Sequence, residues 1–191
     1  MVLSRCSLAA LAFLAVPALL VTAPTLPRNS PEFSLQMLDG VPLPVGQFKG
    51  KVVVLVFILT DCPRCQQIVN TLAKAQAEYD SRGFQVLVSA IDDMAATSVR
   101  DFVKRLHPPF PVGYSSRNVA VQYLEHPPED RLLMPQIVFL DRDARIQAQY
   151  AGDEPFLAED AVDQNLQMKI EELLRQPAPD SKRGGARKKK S

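Results

Sequence analysis

The fold of this chain is decided by one stretch, Val52-Val53-Val54-Leu55-Val56-Phe57-Ile58-Leu59-Thr60-Asp61-Cys62-Pro63-Arg64-Cys65. Its first eight residues are apolar and mostly β-branched or aromatic, which is typical of a strand buried on both faces of an α/β sheet. Thr60 and Asp61 are residue types that cap the free N–H groups at the start of a helix. Behind them the apolar residues recur with the helical period, at Ile68, Val69, Leu72, Ala75 and Tyr79. The stretch therefore predicts a central strand over residues 52–59 and a helix that begins at the two cysteines.

The first cysteine of this stretch is placed at the N-terminal end of the predicted helix. The first turn of a helix offers unpaired N–H groups and partial positive charge, and both favour a thiolate at Cys62. Arg64 adds a positive charge nearby. Cys65 lies one helical turn further on, within reach of Cys62 for a disulfide. The pattern predicts that Cys62 attacks a substrate disulfide and that Cys65 resolves the resulting mixed disulfide.

The composition indicates one domain with a proper core and a charged end. The chain has 191 residues, of which 47% are hydrophobic, and its three cysteines are too few for a disulfide-stapled scaffold. Six of the 22 Lys and Arg residues lie in residues 181–191, so the rest of the chain carries 16 basic and 21 acidic side chains. Because the basic residues are confined to a Gly-containing tail without aromatic side chains, a nucleic-acid-binding domain is not indicated.

Residues 1–23 are predicted to be a signal peptide or an N-terminal membrane anchor. Arg5 precedes an uncharged apolar stretch that is longer than most signal-peptide cores and a little short of a full membrane span. Residues 21–23 fit the small-residue rule for cleavage, but Pro24 would follow the cut and lacks an N–H, so cleavage and retention both stay open. In both cases Arg5 is expected to remain cytoplasmic, and the domain is expected to be exported to the periplasm or the extracytoplasmic face of the membrane.

The rest of the chain alternates predicted strands and helices. A linker over residues 24–31 leads to a small hairpin over residues 33–43. Further strands are predicted over residues 84–91, 110–112, 136–140 and 145–150, and further helices from Asp92-Asp93, over 115–124 and over 157–174. Strands separated by helices require parallel crossovers, and the last two strands form a hairpin. We therefore expect an α/β domain with a mixed central sheet over residues 32–175, followed by a disordered basic tail over 176–191.

These motifs resemble the thioredoxin fold, because a Cys-x-x-Cys follows an apolar strand and Pro135 opens a later strand. Two features are more particular: the hairpin of residues 33–40 ahead of residues 49–54, and the extra helical unit around residues 113–124. Both resemble the TlpA/ResA-like, AhpC/TSA-related (redoxin) branch of exported, often membrane-tethered thiol-disulfide oxidoreductases. The resemblance covers about residues 31–175. It implies a three-layer α/β/α fold with an N-terminal β-hairpin and a central insertion.

The resemblance also implies roles for individual residues. Cys62 matches the exposed nucleophile and Cys65 the resolving cysteine. Pro135 matches the cis-proline that faces the cysteine pair, and Met134 would offer backbone groups to an extended client segment. The implied partners are a client protein with a disulfide or thiol pair and an upstream membrane thiol that donates electrons. No metal or organic cofactor is expected beside the Cys62–Cys65 disulfide.

Three residues around the first cysteine are expected to tune its reactivity. Asp61 stands where the family commonly has Trp, and its negative charge opposes the thiolate that Arg64 and the helix end favour. Pro63 and Arg64 replace the Gly-Pro pair of strongly reducing thioredoxins. Similarity to oxidants with a Cys-Pro-His-Cys motif implies a less reducing couple.

A proton relay for Cys65 is missing from the sequence pattern. Thioredoxins bury a carboxylate in the strand below the cysteines, and Val56 occupies that position here. The acid that related enzymes carry just after the motif is replaced by Ile68.

A peroxiredoxin-like thiol peroxidase is the main alternative, since those enzymes share the domain. A peroxidatic cysteine is preceded by Thr three positions back and Pro seven positions back. Counting from Cys62 gives Leu59 and Leu55, and counting from Cys65 gives Cys62 and Ile58. Neither cysteine fits this pattern, so the group that would orient a peroxide is missing.

A metal-binding module is a further alternative for the cysteine pair, as is an inert structural disulfide. Zinc usually needs four ligands, and the remaining candidates are Cys6, His107 and His126. Cys6 belongs to the export segment. Thioredoxin-like copper chaperones use a wider cysteine spacing with a distant His, whereas both His residues here lie beside prolines in loop-like contexts.

Overall fold

The computed structural model describes residues 25–177. The predicted leader over residues 1–23, with Cys6, and nearly all of the predicted basic tail lie outside the described residues. Between residues 25 and 177, no helix has both the length and the apolar character that crossing a membrane requires.

The described range alternates strands and helices in the predicted order. Its strands are β1 (Arg28–Asn29), β2 (Ser34–Leu35), β3 (Leu43–Pro44), β4 (Val52–Ile58), β5 (Phe84–Ala90), β6 (Val112–Tyr114), β7 (Gln136–Leu140) and β8 (Arg145–Tyr150). Its helices are α1 (Pro63–Tyr79), α2 (Ala95–Leu106), α3 (Arg117–Leu124) and α4 (Val162–Leu174).

The central sheet is mixed, as predicted, with the strand order β1-β8-β7-β4-β5-β6. β4 and β5 are parallel, as are β5 and β6, while β7 is antiparallel to both β4 and β8. β2 and β3 form the separate N-terminal hairpin, which is attached to the sheet through a bridge between Gln36 and Tyr114. The carboxyl ends of β4 and β5 and the start of β7 therefore meet at one edge of the sheet.

Alternate residues of β4 bury themselves in two different apolar clusters. Val54 and Val56 pack on the face covered by α1, α2 and α4, whereas Leu55 and Phe57 pack on the face covered by α3 and the hairpin. All seven residues of β4 are buried, because the strand is covered on both sides. The predicted three-layer α/β/α arrangement is confirmed.

The predicted linker over residues 24–31 contains a strand of the sheet. Arg28 and Asn29 pair with Ile146 and Arg145 at the edge of β8. The Arg28 guanidinium also donates a hydrogen bond of 2.8 Å to the Tyr123 carbonyl at the end of α3. This strand could not be predicted, because two residues are too few for an alternating pattern.

Two of the predicted element boundaries that differ from the structure have a clear local cause. The last helix begins at Val162 rather than residue 157, because residues Pro155–Leu157 form a separate 3₁₀ turn and Ala158 is extended, with ψ 140°. The predicted strand over 110–112 lies two residues later, at Val112–Tyr114. Pro111 has no N–H to donate, and only its carbonyl joins the ladder, by accepting from Val88.

Candidate active site

The two cysteines lie where β4 leads into α1. The chain leaves the sheet after Ile58, and Cys62 is the N-cap residue of α1, with Pro63 in the first turn. The backbone N–H of Cys65 donates a 3.2 Å hydrogen bond to the Cys62 sulfur. This contact satisfies one of the free N–H groups at the helix start and places partial positive charge against the sulfur.

The two thiols differ in exposure. Both are free, and Cys62 is half-buried while Cys65 is fully buried. Cys65 packs in the apolar cluster with β4 and β5. Burial raises the pKa of the Cys65 thiol strongly, and its contact with Cys62 adds to this rise. The arrangement presents one sulfur to solvent and holds the other beneath it as a protonated thiol.

The three predicted thiol-tuning residues have different surroundings. Asp61 and Pro63 are exposed. Arg64 is half-buried, and its guanidinium donates a hydrogen bond to the carbonyl of Leu157, in the turn before α4. The guanidinium is thus tied to the 3₁₀ turn over Pro155–Leu157, a partner that the sequence did not indicate.

Met134 and Pro135 lie at the same edge of the sheet as the cysteine turn. Their peptide bond is cis. In the antiparallel register of β4 and β7, Gln136 pairs with Phe57, so Pro135 comes one residue before this pair. Pro135 is buried and Met134 is half-buried, packed against the cluster that contains Cys65.

Gly152 lies directly against the backbone of Met134. Its N–H donates a 3.3 Å hydrogen bond to the Leu133 carbonyl. A Cβ atom at Gly152 would overlap the Met134 carbonyl oxygen and lie 2.6 Å from the carbonyl carbon. Because residue 152 has no side chain, its backbone can pack directly against Met134, the residue before the cis-proline.

A polar network that the sequence reasoning missed is centred on Thr60, which is buried. The Asp92 carboxylate accepts from the Thr60 N–H at 3.0 and 3.2 Å and from its hydroxyl at 3.0 Å. The Thr60 carbonyl accepts from Gln66 at 2.8 Å and from Arg105 at 3.4 Å. The network fixes the turn that leads to Cys62.

Asp92 was interpreted as a helix-start residue, and that interpretation is wrong. Helix α2 begins at Ala95, and its N-cap Met94 makes no side-chain cap hydrogen bond. Asp92 follows the end of β5, next to the end of β4, and its side chain turns across to Thr60 instead. Its place after a parallel strand was the one available signal, since such strand ends meet at one sheet edge.

The two histidines that remained as candidate metal ligands belong to separate local settings. His107 is the C-cap of α2, and His126 contacts the Asp130 carbonyl at 3.1 Å. Within residues 25–177, no group of three or more His, Cys, Asp or Glu side chains is placed to hold a metal ion.

Comparison with known proteins identifies similar chains. A family model described as Redoxin matches residues 28–166. The thiol-disulfide oxidoreductase ResA of Bacillus thuringiensis subsp. konkukian (strain 97-27) is 23% identical over 127 residues, which cover 66% of this chain and 70% of ResA. The thioredoxin-like protein YneN of Bacillus subtilis (strain 168) is 29% identical over 97 residues, which cover 50% of this chain and 57% of YneN.

Solved structures share the fold. A protein from Chlorobium tepidum assigned as the thiol:disulfide interchange protein DsbE matches with a TM-score of 0.66 and 23% identity, over 78% of this chain and 96% of that chain. A protein from Neisseria meningitidis assigned as a thioredoxin matches with a TM-score of 0.63 and 26% identity, over 78% of this chain and 92% of that chain. The predicted thioredoxin-like α/β fold is confirmed.

Proposed function

The chain belongs to the redoxin family as a TlpA/ResA-like thiol-disulfide oxidoreductase, and from this premise we propose that it exchanges its Cys62–Cys65 dithiol or disulfide with client proteins outside the cytoplasm. One observation carries the proposal. Cys62 caps a helix N-terminus and is partly exposed, whereas Cys65 is buried one turn further on and donates its N–H to the Cys62 sulfur. Nucleophilic attack and resolution need such unequal thiols.

The exchange proceeds in two steps. The Cys62 thiolate attacks one sulfur of the client disulfide, and the other client sulfur leaves as a thiolate. Cys65 then loses its proton and attacks the Cys62 sulfur, which releases the second client sulfur. The client is reduced by two electrons, and the chain is left with a Cys62–Cys65 disulfide. An upstream thiol donor restores the dithiol, and the same steps in reverse oxidise a client.

The client docks as an extended segment against Met134 and Pro135. Support comes from the position of these residues at the cysteine edge of the sheet, one residue before the pair of Gln136 and Phe57. The half-buried Met134 offers an adaptable apolar contact, and its backbone can pair with an added strand.

Export and the cofactor-free chemistry are parts of the same proposal. Export is supported by the apolar leader over residues 1–23 with its single Arg5, which would leave the domain periplasmic, secreted or anchored. The cysteine pair can carry both electrons itself, so we assign no metal or organic cofactor.

Trapping of a mixed disulfide tests the proposal. With insulin as the model disulfide client, Cys65→Ser is expected to accumulate a covalent adduct through Cys62, because nothing resolves it. The adduct is measured on a non-reducing gel and disappears with dithiothreitol. Wild type should release reduced insulin instead. The proposal is wrong if Cys62→Ser still exchanges with insulin or if Cys65→Ser forms no adduct.

A further inference from the structure

The resolving step requires Cys65 to lose a proton in an apolar setting. Its thiol is fully buried. Val56 on β4 and Ile68 on α1, the two positions where related proteins carry an acid, are both buried apolar side chains here. Burial makes the charged form of a thiol costly, so an attack by Cys65 needs a nearby group that accepts the proton.

Asp92 lies on the side of the sheet that Cys65 occupies. Val88 and Ala90 of β5 belong to the same apolar cluster as Cys65, whereas Ile91 belongs to the cluster on the opposite face. Successive side chains of an extended segment alternate between faces, so Asp92 continues the Cys65 face just past the strand end. Ile58 of β4 also belongs to the cluster of Cys65, so Thr60, two residues later, continues the same face.

The orientation of the Asp92 side chain is fixed by this position. Its carboxylate accepts two hydrogen bonds from the Thr60 N–H and one from the Thr60 hydroxyl. The contact of Asp92 with α2 is through its backbone carbonyl, which accepts from the Ala95 N–H at 3.2 Å, and not through its carboxylate. These three hydrogen bonds to Thr60 hold the carboxylate beside the turn that leads to the cysteines rather than over the start of α2.

The charged surroundings of Asp92 come from two helices. On α1, burial and the contact with Cys62 raise the pKa of Cys65, and the negative charge of Asp92 adds to this rise. From α2, Arg105 reaches the carbonyl of Thr60, the residue that Asp92 binds through its N–H and hydroxyl. The neighbouring Asp93 is exposed.

We propose that Asp92 accepts the proton of Cys65 during the resolving step, an inference that rests on the proposed function. The Cys65 S–H gives its proton to an Asp92 carboxylate oxygen, and the Cys65 sulfur attacks Cys62. The bond between Cys62 and the client sulfur breaks. The client leaves as a thiolate and is protonated by Asp92 or by water. The two cysteines are oxidised and the client disulfide is reduced.

The two chemical steps can be followed separately with dithiobis-nitrobenzoate as the disulfide probe. Attack by Cys62 releases one coloured thiolate, and attack by Cys65 releases the second, so single-turnover absorbance gives both rates. In Asp92→Asn the first release should stay within about twofold of wild type, and the second should slow by at least about tenfold at neutral pH. The deficit should shrink as pH rises, because hydroxide replaces the lost acceptor.

A purely electrostatic role of Asp92 predicts the opposite sign. Loss of a negative charge beside Cys65 favours its thiolate, so Asp92→Asn would then speed the second release. A faster or unchanged second release, or equal slowing of both releases, overturns the proposal. A wild type that releases no second thiolate would instead contradict the proposed function itself.

Three variants separate proton transfer from support of the turn. Asp93→Asn removes the adjacent exposed carboxylate and should leave both rates unchanged. Thr60→Val removes one hydrogen bond to Asp92 but keeps the carboxylate, and slowing equal to that of Asp92→Asn would overturn the proposal. If Asp92→Asn does not fold, Asp92→Ser, which keeps an acceptor for the Thr60 N–H, is measured with the same criteria.

Discussion

Cys65 couples the redox site to the stability of the reduced protein. Burial and the neighbouring Cys62 raise the pKa of Cys65 above the ordinary thiol value of 9.0. Above that value the thiol ionises in the unfolded chain but keeps its proton in the folded one. The unfolded state then binds fewer protons, so the free energy of unfolding falls as pH rises.

We predict that the reduced wild type loses stability between about pH 8 and about pH 10 more steeply than Cys65→Ala does, by up to about 1.4 kcal/mol per pH unit above the ordinary pKa of the thiol. Urea unfolding of both proteins at several pH values measures the difference. Burial also raises the pKa values of Tyr79, Tyr123 and Tyr150, but these tyrosines are present in both proteins and cancel in the comparison. Equal slopes for the two proteins would show that Cys65 titrates normally.

Local sequence patterns located the two cysteines but not Asp92. Cys62 and Cys65 were found because strand, helix start and spacing all lie within one continuous stretch. Asp92 was missed because its partner Thr60 is 32 residues away and contacts it only through the pairing of β4 with β5. An aspartate just before a helix is usually a helix cap, so the sequence favoured capping by Asp92 over a contact with Thr60.

Among the elements, the turn after β8 packs against the backbone of Met134, at the edge where we propose that the client docks. Gly152 is buried and lies against the backbone of Met134, in space that no side chain can share. Gly113 is also crowded, since a Cβ there would lie 2.6 Å from the Gln36 carbonyl oxygen, but its neighbours belong to the N-terminal hairpin. The two glycines provide a matched pair.

We predict that Gly152→Ala displaces the Met134 backbone and raises the KM for a protein client at least about fivefold, with a loss of about 1–3 kcal/mol in stability from overpacking. The rate of Cys62 alkylation should remain near that of wild type. Gly113→Ala should cost similar stability without changing the KM. Steady-state insulin reduction measures the KM, and urea unfolding measures the stability. Equal KM values for both variants would contradict a role of Gly152 in client docking.

Elements with strong local patterns were predicted to within a residue or two. β4 and most of β7 are continuous apolar runs buried on both faces, and β8 alternates apolar and polar residues. In α1, apolar residues recur with the helical period along the buried face. The start of α4 was misplaced because the buried Leu157 continues its apolar stripe, although the residue belongs to a separate turn. β1 and its edge position depend on tertiary contacts alone.

At the scale of the whole molecule, the site is assembled from segments that the fold brings to one sheet edge. The parallel β4 and β5 contribute their carboxyl ends, and the antiparallel β7 contributes its start. The opposite layer is held by the N-terminal segment. Arg28 binds the Tyr123 carbonyl and lies 3.4 Å from Glu125, and its side chain is only 12% exposed.

We predict that Arg28→Ala lowers the free energy of unfolding by about 1–3 kcal/mol, because the Tyr123 carbonyl is left without its charged hydrogen-bond donor. The two thiolate releases from the probe disulfide should keep their wild-type rates, since α3 covers the face opposite Cys65 and β1 is the edge strand beyond β8. Arg145→Ala, at an exposed position of β8, is the control and should change stability little. A changed rate of either release would show that this layer is coupled to the cysteines.

We propose that Cys62 and Cys65 form one reversible two-electron couple. The most direct test equilibrates the protein in a series of glutathione redox buffers, blocks free thiols with an alkylating agent and maps the cysteines by mass spectrometry. We expect both thiols to disappear together at one potential and to reappear as a Cys62–Cys65 disulfide. Two cysteines that alkylate independently across the whole series, with no disulfide between them, would contradict it.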